Sequence, residues 1–210
     1  MIGEYMNGIK EYFDKIASDW SEFWLSEREK SGVVKTFYDL YASAGNINPR
    51  ILDVGSGLGY DSYLLSKYGA EVVGVVFSEK SLDIAKQNAP NCNFIVKDIT
   101  ESIDDLGEFD GVFCTAVLDY IDIMKINKTI DNFAKIMKKG ALLFISVLDG
   151  NGKNEQKSYS FIDGEEYILD FFNYNAEQLC TFALPDLKLV DTFTFDDFED
   201  GWKYYVFMKK

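Results

Sequence analysis

Ile51–Leu52–Asp53–Val54–Gly55–Ser56–Gly57–Leu58–Gly59 is the stretch on which the fold turns. Its first four residues read as a short buried strand, and the glycines that follow cannot continue it. Asp61–Tyr68 then sets Leu64, Leu65 and Tyr68 on one helical face, and Gly69 is suited to end that helix. A glycine turn between strand and helix lets a ligand approach the main chain, because no Cβ stands in the way. The helix behind the turn presents unpaired N–H groups at its positive end. Spacing narrows the choice of ligand. A dinucleotide turn carries glycine at its first, third and sixth positions, and the sixth here is Tyr60. The phosphate loop of nucleotide hydrolases ends in Gly-Lys-Ser or Gly-Lys-Thr, which is missing. NAD and ATP are therefore not the leading ligands.

Downstream the alternation repeats. Glu71–Val76 is a strand, and Ser81–Asn88 a helix that cannot run past Pro90. Asn93–Val96 and Asp110–Phe113 are strands, Ile123–Lys138 is a longer helix ended by Gly140, and Ala141–Val147 is a nearly all-apolar strand. The pattern predicts an α/β, open, mostly parallel, doubly wound sheet. Past Leu148 it changes: Asp149–Asn154 is loop, and the polar stretch through Ser160 reads as loop too. Glu177–Phe182 is a short helix, and Lys188–Phe195 and Trp202–Met208 form a late antiparallel pair around the acidic turn Asp196–Gly201. Upstream, Tyr5, Ile9, Phe13, Ile16, Trp20 and Phe23 recur at helical separations, and Glu27–Ala44 is a second helical stretch. No linker divides the chain. One domain over 1–210 is expected, with an N-terminal helical cap at about 1–45 and an insertion near the pocket at about 149–183.

Composition excludes several function classes. With 35 acidic against 21 basic residues the formal charge is −14, which repels a phosphate backbone and an anionic membrane. Nucleic-acid and membrane partners are disfavoured. No run of eighteen apolar residues and no secretory start is present, so the cytoplasm is the expected location. Cys92, Cys114 and Cys180 lack metal-ligand spacing and read as reduced core residues, and no metal site is expected. The absence of histidine removes Ser-His-Asp and Cys-His chemistry and any histidine zinc site. A general base would have to be a carboxylate, Tyr, Lys, Cys, water or the substrate itself.

Residues 51–59, with Ala70–Ser78, Asn93–Asp98 and Phe109–Tyr120 following in order, resemble the motifs of the class I S-adenosylmethionine-dependent methyltransferases. The resemblance covers about residues 10–147. It implies a single Rossmann-like domain with a seven-stranded, mostly parallel sheet in the order 3-2-1-4-5-7-6 and a late antiparallel strand. It implies S-adenosyl-L-methionine as cofactor, with Gly55, Ser56, Gly57 and Gly59 around the methionyl part and Asp53 at the amino group. Asp98 is implied to accept the adenine amino proton with Ile99 against the ring, and Val76, Phe77 and Thr115 to complete the site. The chemistry fits: an ammonium, a carboxylate and a sulfonium are matched by carboxylates and main-chain donors. Asp98 has a second reading as a helix cap.

Two departures stand out. The position matched by Val76 usually carries an acid that accepts both ribose hydroxyls, and losing such bonds costs about 1.5–3 kcal/mol, or roughly ten- to a hundred-fold in affinity. Glu79 is either a substitute reaching from the loop or simply first-turn helix surface. Asp119 stands where small-molecule members often carry histidine. Asp119 and Tyr120 are the catalytic candidates, orienting an acceptor or receiving its proton; capping the next helix is the alternative. Tyr12, Trp20 and Tyr159, with Asp119 and Tyr120, are the expected substrate contacts. Methyl transfer needs mainly alignment and exclusion of water. The expected function is in-line methyl transfer to a small-molecule acceptor. The alternatives are a noncatalytic or degenerate cofactor-binding protein of this fold and, further off, a nucleotide-dependent dehydrogenase. No motif encodes the oligomeric state.

Overall fold

Strand by strand, neighbouring side chains part to opposite faces of one sheet. Ile51, Phe113, Phe144 and Val206 enter one apolar core, whereas Leu52, Val112, Leu143 and Phe207 enter a second. Two buried faces need two helical layers. The computed structural model, which describes residues 2–17, 22–43, 45–148, 156–162, 164–183, 185–195 and 201–210, supplies them. The strands are β1 (Arg50–Val54), β2 (Glu71–Val76), β3 (Asn93–Val96), β4 (Phe109–Thr115), β5 (Met137–Leu148), β8 (Leu187–Phe193) and β9 (Trp202–Lys209). They lie in the order β3-β2-β1-β4-β5-β9-β8. All pairings through β5 are parallel, and β9 enters antiparallel between β5 and β8. The fold is the doubly wound, Rossmann-like α/β sheet expected from the alternation.

The helices are α1 (Ile2–Ile16), α2 (Glu22–Ser31), α3 (Val33–Ser43), α4 (Tyr60–Tyr68), α5 (Glu79–Asn88), α6 (Ile123–Ile136) and α7 (Ala176–Ala183). α3, α4 and α5 cover one face of the sheet, and α6 and α7 the other. Under α3, Phe37 meets Phe113 and Phe144 at centroid separations of 5.0 and 5.3 Å. Beside it the Tyr41 hydroxyl donates to Leu142 O (2.9 Å) and accepts from Leu142 N (2.8 Å). That hydroxyl fills the space over Gly111, where a Cβ would fall 2.1 Å from it.

Four elements differ from the sequence reading. The helix expected over Glu27–Ala44 is broken at Gly32 into α2 and α3. α6 ends at Ile136 rather than near Gly140, because Met137 turns extended, pairs with Phe109 and is buried. Where the second reading of Asp98 puts a capped helix, over Glu101–Leu106, there is only a 3-10 turn at Asp104–Leu106. The largest difference is the polar stretch read as loop. Its second half is β6 (Gln156–Ile162), paired antiparallel with β7 (Glu165–Phe171) as a hairpin apart from the main sheet. Lysine and serines in β6 conceal the signal, but Tyr159, Phe161 and then Tyr167, Leu169, Phe171 recur at every second position, the strand period. The loop assigned to 149–154 and the acidic residues 196–200 lie outside the described residues.

Candidate active site

The parallel order reverses direction between β1 and β4, and the crevice outside their C-terminal ends is where open α/β sheets take ligands. A cavity opens there, with about 810 Å³ of atom-free space counting its solvent-facing mouth. One wall is the glycine turn (Gly55, Gly57) and the ends of β2 and β3 (Val76, Phe77, Ser78, Lys97, Asp98, Ile99). The other is the segment after β4 (Ala116, Val117, Tyr120, Ile121), roofed by Ile9 and Phe13 of α1. Ala116 is a non-glycine residue at φ 54, a left-handed conformation that carries strain. Its N–H donates to Ser146 Oγ at 2.9 Å, which helps hold the bend.

The three glycines of the turn differ in what surrounds them. A Cβ on Gly57 would meet nothing nearer than Gly55 O at 3.8 Å, so its vacant side opens to the cavity. On Gly59 it would lie 3.1 Å from Ala85 Cα and O, where α4 crosses close to α5. On Gly55 it would strike Val117 Cγ2 at 2.3 Å.

Strand parity aims Asp53 toward α4, where it is 2% exposed and accepts from Ser62 Oγ at 2.5 Å. Burial, and then the nearby Asp61 carboxylate, raise its pKa, against the Ser62 hydrogen bond and the Arg28 charge. Asp61, in the first turn of α4, is gripped by Arg28 of α2 through Nε–Oδ1 (2.7 Å) and Nη2–Oδ2 (2.8 Å). Arg28 also donates to Thr115 Oγ1 at 3.0 Å. Burial works against its charge, but the Asp61 carboxylate outweighs that and holds the guanidinium pKa raised. Thr115, Ser56, Asp53 and Gly59 are outside the cavity lining. Arg28 escaped the sequence reading because it sits in the charged run Glu27–Lys30, which reads as solvated helix surface.

At the other end, Thr100 N and Oγ1 donate to Asp98 Oδ1 at 2.8 and 2.7 Å. Asp98 therefore organises its own turn while lining the cavity beside Ile99. Lys97, unremarked in the sequence reading, lines the same wall and pairs with Asp105. Val76 is 2% exposed and presents only methyl groups. Glu79 is exposed and outside the lining, at the start of a helix capped by Ser78 Oγ, which accepts from Ser81 N at 3.0 Å.

Of the adjacent candidates Asp119 and Tyr120, Tyr120 lines the cavity, with its ring 5.3 Å from Phe13 and 5.3 Å from Phe171. Asp119 turns the opposite way: it is fully buried outside the lining, and its Oδ1 accepts from Leu148 N at 3.0 Å. The end of β5 lacks a strand partner on that side, which draws the carboxyl inward. Burial pushes the Asp119 pKa up to about 7. Tyr12 lies beside the cavity, its ring 5.9 Å from that of Tyr167, so it ties α1 to the hairpin. Lys15 Nζ donates to Glu165 Oε2 at 2.9 Å across the same junction. Tyr159 stands on β6 in register with Ile168. Trp20 lies outside the described residues. Cys92 and Cys114 are buried, and burial raises both thiols. Among the described residues no group of three or more Cys, Asp or Glu is placed to hold a metal, and no helix is long and apolar enough to cross a membrane.

Comparison with known proteins adds ancestry to this geometry. A family model described as a methyltransferase domain matches residues 51–140. The chain is 33% identical over 140 residues to a ubiquinone biosynthesis O-methyltransferase of Coxiella burnetii; the match takes in 64% of this chain but only 57% of that protein. A protein of the same description from Pelagibacter ubique is 27% identical over 234 residues, covering 94% of this chain and 93% of that one. Among solved structures, magnesium protoporphyrin IX methyltransferase from Synechocystis with bound SAM superposes with a TM-score of 0.74 at 16% identity, over 98% of this chain and 97% of that chain. At that identity the likeness is one of fold.

Proposed function

Because the chain belongs to the class I S-adenosylmethionine-dependent methyltransferases, we propose that it transfers the methyl group of S-adenosyl-L-methionine in line to a small-molecule acceptor. The observation that carries this reading is the vacant side of Gly57, open to a cavity whose same wall continues to Asp98 and Ile99. Main-chain donors at the turn, with a carboxylate and an aliphatic neighbour farther along, suit a ligand with a charged amino-acid end and a flat base. The main-chain donors of the turn would hold the amino-acid end, with Asp53, outside the lining, reaching its amino group through a water. Asp98, whose bonds to Thr100 both use Oδ1, would accept from the adenine amino group through Oδ2, with Ile99 against the ring. When bound, the cofactor supplies an electrophilic methyl on a sulfonium. The chain's own task is then to align the nucleophile and exclude water.

That task falls to the second wall. Tyr120, Phe13, Ile9 and Ile121 close the cavity with rings and aliphatic groups, and Tyr120 places a hydroxyl among them to orient an acceptor. With Asp119 turned inward, no carboxylate among the described residues lines this wall, so a neutral nitrogen or an already ionised oxygen suits it best. The curated relatives are described as O-methyltransferases, which puts oxygen acceptors first for testing. Methyl-labelled cofactor incubated with phenols, acids, amines and thiols should give labelled product and S-adenosylhomocysteine above the no-acceptor rate. A folded sample that fails to bind the cofactor at millimolar concentration would sink the proposal. Val76 favours a second reading, cofactor binding without turnover, since no carboxylate for the ribose hydroxyls stands at the end of β2. Tight binding with no product across the panel would select it.

A further inference from the structure

β4 stops at Thr115, opposite Ser146, whereas β5 runs on to Leu148. On that edge two side chains take the place of a strand. Leu148 N–H donates to Asp119 Oδ1 (3.0 Å), and Asn173 Nδ2 donates to Leu148 O (3.3 Å). The N–H and C=O of one residue in an extended strand point to the same edge, so the carboxyl and the carboxamide sit side by side. Both are deeply buried, at 0% and 1% exposure. Asp119 Oδ2 and Asn173 Oδ1 are each left without a hydrogen-bond partner.

Each orphaned acceptor costs roughly 1–3 kcal/mol. Turning the carboxamide over gives no relief, because its oxygen would then face Leu148 O. A single proton on Asp119 satisfies both atoms. Among the described residues the surroundings hold no opposing charge. β4 presents the Cys114 thiol, and the loop after Asp119 presents Tyr120 and then Asp122, which is spent on Met124 N. The segment after β7 presents Tyr174, whose hydroxyl donates to Ile121 O at 2.6 Å. Among the described residues no lysine or arginine acts on Asp119.

We propose that Asp119 is a neutral carboxylic acid whose Oδ2–H donates to Asn173 Oδ1, and that this shared proton docks the root of the β6–β7 hairpin on the Tyr120 loop. The main chain repeats the connection, with Phe172 N donating to Asp119 O at 2.7 Å. Directly before this root, Phe171 packs edge-on against Tyr120, so the clasp fixes the acceptor wall. Asp119 is thus a positioning residue and Tyr120 the side chain it positions. Its influence on the acceptor rests on the methyl-transfer reading; the proton itself does not. The upward shift to about 7 agrees with a clasp that is closed below neutrality and loosens above it.

The direct test is a carbon-13 NMR titration of the Asp119 side-chain carboxyl in the full chain, assigned against Asp119→Asn. The expected result is a neutral acid at pH 5 that titrates near 7, with the Asn173 carboxamide signals moving at the same midpoint. Above that midpoint, protection of the Phe172 amide, corrected for intrinsic exchange, should fall by up to about tenfold per pH unit. In Asp119→Asn the new amide can donate to Asn173 Oδ1 while its oxygen keeps Leu148 N, so protection should persist and become independent of pH. Asp119→Ala should lose it at every pH. An Asp119 that is ionised at pH 5, as a carboxylate bridged by water would be, overturns the proposal. So does an Asn173 signal that ignores the titration. Should Asp119→Asn fail to fold, the wild-type titration decides alone. In turnover, the acceptor KM should rise through pH 7 with the cofactor KM unchanged. A protein that shows the titration but never methylates keeps the clasp and loses the proposed activity.

Discussion

Gly57 and Gly59 both have positive φ, 51° and 83°, yet alanine at the two sites should fail in different ways. Alanine in the left-handed region costs roughly 1–2 kcal/mol. At Gly57 that is the whole steric cost, since the new methyl meets nothing within 3.4 Å. For a chain of this length it corresponds to a melting temperature lower by about 2–8 °C. The methyl projects into the cavity, however, and crowding a ligand there by roughly 1–3 kcal/mol weakens binding about five- to a hundred-fold. At Gly59 the methyl meets Ala85 Cα and O at 3.1 Å, backbone of α5 that can yield only if two helices part. Overpacking adds roughly 1–3 kcal/mol to the strain, for a fall of about 4–20 °C, with little effect on the affinity of the molecules that remain folded. Differential scanning fluorimetry and calorimetric titration with S-adenosylmethionine measure both quantities on one preparation. A folded Gly57→Ala protein with unchanged affinity would refute the placement of the ligand against this turn. Equal losses of affinity in the two variants would refute the division of labour between the glycines.

Gly111→Ala places a methyl 2.1 Å from the Tyr41 hydroxyl and 2.6 Å from its Cζ and should cost at least about 1–3 kcal/mol by chemical denaturation; Tyr41→Phe removes only the first of these contacts and should relieve the loss in part, and an equal loss in both backgrounds would exclude the hydroxyl clash. Val76→Asp restores a ribose acceptor and should tighten cofactor binding roughly ten- to a hundred-fold while lowering the stability of the ligand-free protein; weaker binding would mean that the ribose lies elsewhere. Asp53 and Asp119 both have raised pKa values in the fold, so across the interval from the ordinary carboxylate range up to about 7 the native state holds protons that the unfolded chain has released. Stability should therefore fall as pH rises from 4 to 7. Denaturation midpoints should show this slope, and Asp119→Asn should flatten it; a midpoint that rises steadily over the interval counts against both shifts.

The cofactor half of the fold is plain in the sequence because each signal there is local. Ile51–Gly59 needs only the change from strand to glycines to helix, and Asp98 needs only its place after a short apolar strand. Asp53, buried beside Ser62, also follows from parity, since alternate residues of β1 face α4. What is built from distant partners, in either half, is correspondingly opaque. Nothing next to Arg28 announces Asp61, and nothing in the dipeptide Asp119–Tyr120 says which side chain turns outward. That choice is set by Leu148, whose unpaired edge exists only once β5 has outrun β4. The hairpin was hidden for a related reason: its polar residues mask a two-residue period until both strands are seen in register.

The salt bridge from Lys15 to Glu165 joins residues 150 positions apart, so the α1 roof over the cavity is braced by a late excursion of the chain. During synthesis the sheet order through β5 can form while that roof still lacks its brace. Across evolution the same separation leaves the hairpin free to lengthen, shorten or change its rings without disturbing the glycine turn, as surface connections commonly do. On the proposed reading, one half of the molecule is committed to the nucleoside, and the other is a replaceable fitting that decides which compound it serves.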